Sequence, residues 1–123
     1  MPWLVRLLKR RADPEQVRND GLGLAMDWGD QWLSPIQARL GQRYPNLSAR
    51  ELDEINDECQ AVMRLGHETV YAFVRDGAQA LSAESLDPVL RATYPWINDE
   101  NVRRLFSQSL YYATKAGGPA RNR

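Results

Sequence analysis

The chain has 123 residues, with sixteen Lys and Arg side chains balanced by sixteen Asp and Glu side chains, so its formal net charge is zero. Its one cysteine, Cys59, excludes an intrachain disulfide, and no apolar run approaches the roughly 20 residues that span a bilayer. Only three Ile, seven Val and three Thr are present, which disfavours strands. We therefore expect one all-α domain over residues 1–123, in a reducing compartment such as the cytoplasm.

Two helices are predicted near the amino end. Residues 1–12 are expected to form a short, basic, amphipathic helix, because their apolar side chains fall on one stripe. Asp13 and Pro14 then indicate a second helix start, with Asp13 as the cap and Pro14 in the first turn. Gly21 and Gly23 predict a break in this second helix, because each glycine weakens a helix by up to about 1 kcal/mol relative to alanine.

One pattern of prolines, tyrosines and capping residues occurs twice. Leu33-Ser34-Pro35-Ile36 precedes Tyr44-Pro45-Asn46-Leu47-Ser48, and Leu86-Asp87-Pro88-Val89 precedes Tyr94-Pro95-Trp96-Ile97-Asn98. Each copy predicts a short helix started by the proline, a corner at Tyr-Pro, and a longer capped helix, because a residue before proline avoids the helical region. Residues 33–77 and 86–117 are thus predicted to form two similar hairpins in a compact bundle of about five helices.

The two longer helices carry clear end signals. Ser48 and Glu51 predict a capping box, and Gly77 predicts the end of the helix that follows. Residues 78–86 are predicted to form a connector, so that the second short helix begins at Asp87-Pro88. Asn98 is predicted to cap the last helix, and residues 118–123 are predicted to form a loose tail.

The charges are distributed unevenly along the chain. Residues 1–12 carry four cations, residues 13–100 carry sixteen carboxylates against seven Arg, and residues 101–123 carry five cations without a carboxylate. The basic ends can neutralise an acidic middle within the fold, or they can contact nucleic acid, an anionic membrane or an acidic partner. The sequence leaves both interpretations open.

The motifs of enzyme chemistry are incomplete. His67 and Glu68 resemble the start of a zinc-protease helix, but Tyr71 stands where the second His would be required. Tyr111 and Lys115 resemble the Tyr-x-x-x-Lys pair of short-chain dehydrogenases, but the glycine-rich turn that would bind a dinucleotide is missing. These motifs therefore favour a non-catalytic protein without a cofactor, and they indicate no metal site of their own.

An aromatic and basic surface is predicted around the last helix. Tyr111 projects away from the apolar stripe of this helix, on the side of Arg104 and Lys115, and interfaces are enriched in aromatic residues and Arg. Trp96 takes the corner position that Asn46 holds in the first copy, and packing of Trp96 onto the core remains an open alternative. The candidate interaction surface consists of Trp96, Arg103, Arg104, Tyr111 and Lys115.

A weaker candidate site lies on the segment after Gly23. Two carboxylates share one helix face with two indoles, an arrangement that can raise a carboxyl pKa and support acid–base chemistry or ligand binding. Packing of the indoles in the core is the alternative. This site consists of Asp27, Trp28, Asp30 and Trp32, with His67 as a further candidate residue.

The expected function is binding. The pattern favours a small helical protein of bacterial type, such as an accessory, adaptor or inhibitor or immunity-like protein, that binds another protein or associates with itself. One alternative is a binder of nucleic acid or anionic membrane that uses the basic termini. Another is a small-molecule or metal site near Asp27 and Asp30.

Overall fold

The computed structural model describes residues 13–27 and 35–115, and these residues form five helices and no strand. The helices are α1 (Pro14–Ala25), α2 (Gln37–Arg43), α3 (Ala49–Arg75), α4 (Ala83–Thr93) and α5 (Asp99–Lys115). The predicted all-helical class is confirmed. The predictions for residues 1–12, for the tail at 118–123 and for Trp28, Asp30 and Trp32 fall outside the described residues.

α3 and α5 lie side by side and run in the same direction. The indole N–H of Trp96, just before α5, donates to Glu58 Oε2 at 3.0 Å, and further along both helices Leu105 packs on Gly66. A Cβ atom on Gly66 would lie only 2.6 Å from Leu105 Cδ2. The glycine therefore allows the two helices to approach closely at this point.

The core lies between the five helices and includes an apolar stripe along α3. Ile55, Cys59 and Val62 are buried in this stripe, and removing such side chains from water contributes roughly 1.5–3 kcal/mol each. Burial, with a further contribution from Glu58, raises the pKa of the Cys59 thiol to about 12. Cys59 is therefore a protonated core residue at neutral pH.

α1 runs without interruption through Gly21, so the predicted break is wrong. Asp13 Oδ1 accepts from the N–H of Glu15 at 3.3 Å, which confirms the predicted cap. Gly21 is buried, and a Cβ atom there would lie 3.1 Å from both Ile36 Cδ1 and Ile55 Cγ2. Packing of α1 against these neighbours offsets the weak helix propensity of glycine.

The two Tyr-Pro corners have the same backbone geometry. Tyr44 has φ −127° and ψ 76°, and Tyr94 has φ −126° and ψ 73°. The N–H groups of Tyr44 and Tyr94 donate to the carbonyls of Leu40 and Leu90, at 2.9 and 2.8 Å. α2 and α4 end immediately before these tyrosines, as the sequence predicts.

The helices that lead into the corners begin differently. α2 begins after Pro35, whereas α4 begins at Ala83 and carries Pro88 inside it. The predicted start of α4 at Asp87-Pro88 is therefore wrong. Ser82 provides an earlier start, since its N–H donates to Ser85 Oγ at 3.3 Å. Pro88 lies past the first turn of α4, so it removes one backbone hydrogen bond and crowds the carbonyl four residues earlier.

The predicted ends of α3 and the start of α5 are confirmed. Ser48 and Glu51 form the capping box, with bonds of 2.9 and 3.1 Å. Gly77 has φ +77° after α3, and the N–H of the following residue donates to the Phe73 carbonyl at 3.0 Å. Asn98 Oδ1 accepts from the backbone N–H of Asn101 at 2.9 Å at the start of α5.

Candidate functional site

Asn19 connects α1 to the corner that carries Trp96. Its Oδ1 accepts from the backbone N–H of Asn98 and from Asn101 Nδ2, both at 2.9 Å. Its Nδ2 donates to the Trp96 carbonyl at 2.7 Å. Asn19 and Asn101 are both buried, so these hydrogen bonds hold the corner against α1 without competition from water.

Trp96 lies apart from the rest of the predicted surface. Its indole N–H donates to Glu58, whose other carboxylate oxygen pairs with Arg18 Nε at 2.8 Å. Its ring packs against the core and meets Tyr94 edge-on, with 6.3 Å between ring centroids. Trp96 precedes α5 and Tyr111 lies near the end of α5, so the helical rise places the two residues roughly 20 Å apart. These contacts agree with the alternative in which Trp96 packs on the core.

Four exposed side chains form an inclined row along α5. Arg103, Ser107, Tyr111 and Lys115 follow at intervals of four residues, which places them on one face of the helix. Tyr111 is 46% exposed, and Lys115 Nζ lies 5.4 Å from the centroid of its ring. We call these four residues the outer row. Ser107 was not predicted, although its spacing from Arg103 and Tyr111 indicated it.

Arg104 lies beside the outer row and against α1. A Cβ atom on Gly23 would lie 3.3 Å from Arg104 Nη1, so the missing side chain leaves room for the guanidinium. Arg104 and Tyr111 line a groove of about 450 Å³. The structure therefore brings together four of the five residues of the predicted surface: Arg103, Arg104, Tyr111 and Lys115.

Charge is segregated along the α3–α5 pair. The first half of α3 carries five carboxylates against one Arg, and α5 begins with Asp99 and Glu100, followed only by cations. Because the two helices run in the same direction, the acidic ends of both point toward the same end of the pair. The described residues carry fifteen carboxylates against ten Lys and Arg side chains, so the outer row places two cations on an acidic part of the chain.

His67 lies in a second groove between α3 and α5. It is half-buried, and its ring centroid is 6.1 Å from that of Tyr112. Burial lowers the pKa of His67, and a hydrogen bond with Gln108 opposes this shift. Tyr71 lines the same groove and is 41% exposed. The sequence did not predict the groove, because its walls come from two helices.

Asp27, just after the end of α1, is the other described residue of the weaker site besides His67. Its Oδ2 lies 3.1 Å from Arg39 Nη1, and this guanidinium nitrogen also donates to the Leu24 carbonyl at 3.1 Å. Asp27 does not line the groove that contains His67. Trp28, Asp30 and Trp32 lie outside the described residues, so the weaker site stays a prediction.

The described part of the chain contains neither a cluster of metal-ligating side chains nor a helix that could span a membrane. No group of three or more His, Cys, Asp or Glu side chains in residues 13–27 and 35–115 is placed to hold a metal ion. Within these same ranges, no helix combines the length and the apolar character needed to cross a membrane.

The chain matches no protein-family model, and comparisons with curated proteins and with solved structures found no significant match.

Proposed function

We propose that this protein binds an acidic protein partner along the outer row of α5 and acts as an accessory, adaptor or inhibitor without catalysis of its own. The observation that carries the proposal is the exposure of Tyr111, which is nearly half accessible to solvent. Lys115 lies near its ring, and the row that contains both residues has no carboxylate. Tyrosine and arginine are the residue types that contribute most at protein interfaces. The row extends over about 18 Å, a length suited to one peptide segment or helix.

A protein partner is favoured over nucleic acid or an anionic membrane. The described residues carry an excess of carboxylates, and several of these are exposed on the first half of α3. Such carboxylates repel the phosphates of an extended polyanion, whereas a partner that contacts only α5 avoids them. The cytoplasm is the compartment that we propose for this interaction.

A duplicated hairpin is the proposed scaffold for this surface. The matching geometry at Tyr44 and Tyr94 supports a shared unit, while the different starts of α2 and α4 mark where the copies differ. In this view the first copy carries the acidic face of α3 and the second carries the outer row. Function then lies where the two copies have different exposed residues.

Quantitative affinity capture from lysate of the native host tests the proposal. The wild-type protein, Arg103→Glu and Arg50→Glu are immobilised, with helical content checked by circular dichroism. Arg50 is also exposed but lies in the first turn of α3, so it is the matched control. We expect a protein retained by wild type and Arg50→Glu, lost from Arg103→Glu, and released by raised salt.

Two results would contradict the proposal. One is the same set of proteins on all three immobilised forms. The other is retention that disappears after nuclease treatment or delipidation, which would assign the outer row to nucleic acid or to membrane lipid instead.

A further inference from the structure

The second groove, between α3 and α5, has the dimensions of a small ligand site. It is an open groove with a volume of about 380 Å³, within the usual range of small-molecule pockets. Its lining residues come from the second half of α3 and the end of α5. They are His67, Glu68, Tyr71, Arg75, Ser109, Tyr112 and Ala113.

Three of the seven residues that line this groove carry rings. Tyr71 and His67 are contributed by α3, and Tyr112 is contributed by α5 with its ring tilted by 41° to that of His67. Aromatic side chains favour an aromatic ligand, because offset or edge-to-face contacts are stabilising beyond the area that they bury. The aromatic residues of the groove therefore favour a ligand with a planar aromatic ring.

Ser109 adds one polar group to this aromatic lining. The residue is 1% exposed, and its Oγ has no hydrogen-bond partner among the residues that the structure describes. Buried hydroxyl groups are almost always hydrogen-bonded, so an unsatisfied one calls for an explanation. A polar substituent on a bound ring would supply the missing partner.

The charges at the groove balance each other. Glu68 and Arg75 are the charged residues among its lining, and they carry opposite signs. Burial lowers the pKa of His67, so its imidazole is neutral at pH 7. The groove therefore offers no net charge to select an ionised ligand.

We propose that this groove binds a small neutral phenol, with the ring against Tyr71 and Tyr112 and the hydroxyl bonded to Ser109. Because Ser109 Oγ is shielded from solvent, the ligand hydroxyl reaches it only when a side chain that lines the groove turns aside. Tyr71 lines the groove and is 41% exposed, so its side chain can change rotamer without disturbing the core. This site does not depend on the outer row or on its partner.

A titration with phenol and benzene, followed by amide ¹H–¹⁵N spectra of the full chain, tests the proposal. Both probes fit the ring walls, but only phenol has a hydroxyl for Ser109. We expect shifts centred on the groove, with phenol bound about fivefold more tightly than benzene, as one net hydrogen bond implies. Ser109→Ala removes this preference. Ser107→Ala, an exposed serine on the same helix, keeps it.

Three outcomes would overturn the assignment. They are an absence of shifts at the groove with phenol, equal affinity for phenol and benzene in the wild-type protein, and a phenol preference that survives in Ser109→Ala. An additional titration distinguishes a free phenol from the tyrosine of a peptide. N-acetyltyrosinamide bound tenfold more tightly than phenol would reassign the groove to a peptide and overturn the small-molecule proposal.

Discussion

Asn19 and Asp20 are neighbours on α1, and each holds one of the two Tyr-Pro corners. Asn19 bonds to Trp96, Asn98 and Asn101 around the second corner. Asp20 accepts a hydrogen bond from the hydroxyl of Tyr44 at the first corner and lies 3.6 Å from Arg43 Nη1. One turn of α1 therefore contacts both Tyr-Pro corners, so the position of the start of α5 depends on this turn.

Asn19→Ala is expected to lower the free energy of unfolding by about 3 kcal/mol, because it leaves several buried polar groups without partners. Urea denaturation followed by circular dichroism measures the loss. Asn46→Ala is the control, since Asn46 is exposed at the corner position equivalent to Trp96. Its effect is expected to stay within about 0.5 kcal/mol. A loss below 1 kcal/mol for Asn19→Ala would show that the hydrogen bonds of Asn19 do not hold the fold.

Two glycine-to-alanine changes in helices are expected to have opposite effects. A Cβ on Gly66 would overlap Leu105 at 2.6 Å, so Gly66→Ala should destabilise the protein by about 1–3 kcal/mol. A Cβ on Gly23 would meet only the end of the Arg104 side chain, which can move. Gly23→Ala should therefore stabilise α1 by up to about 1 kcal/mol. Thermal unfolding of both variants checks the signs, and a stabilising Gly66→Ala would refute close α3–α5 packing.

The hydrogen bond between Tyr44 and Asp20 predicts a pH dependence. Burial, with the hydrogen bond to Asp20, raises the pKa of Tyr44 to about 12 from its ordinary value of 10.0. A raised pKa contributes stability that is present below pH 10 and is lost as pH rises through 12. The free energy of unfolding of the wild type should therefore approach that of Tyr44→Phe between pH 8 and about pH 11.5. Over this range the tyrosine ionises in the unfolded chain before it ionises in the folded protein. A difference independent of pH would exclude this linkage.

Cys59 is expected to resist thiol reagents in the folded protein. Burial is the main cause that raises its pKa to about 12, so little thiolate exists at pH 8. Reaction with an aromatic disulfide reagent should be at least about a hundredfold slower for the folded protein than in 8 M urea, because the thiolate is the reactive form. Comparable rates in the two conditions would show that Cys59 is accessible.

The parts of the fold that were predictable depend on local signals. The Ser48–Glu51 capping box, the Asn98 cap and Gly77 act within one helical turn, so the sequence alone indicates them. The unbroken path of α1 through Gly21 was not predictable, because it depends on Ile36 and Ile55 from other helices. A distant contact decided the structure at that glycine.

The candidate surface was likewise predictable only where local spacing decides the position of a residue. Arg103, Tyr111 and Lys115 share a helix face by their spacing, so their grouping followed from periodicity. The separation of Trp96 from them could not be predicted, because its partner Glu58 is 38 residues away in the chain. The groove at Tyr71 was missed for a related reason, since it exists only where α3 packs against α5.

Site-specific photocrosslinking in the native host tests the central claim most directly. Benzoylphenylalanine replaces Tyr111 in one form of the protein and Arg50 in another, and crosslinked products are identified by mass spectrometry. If the outer row binds an acidic protein, one protein crosslinks at position 111, is absent at position 50, and is lost when Arg103→Glu is added. An absence of crosslinks at position 111, or the same products at both positions, would contradict the account.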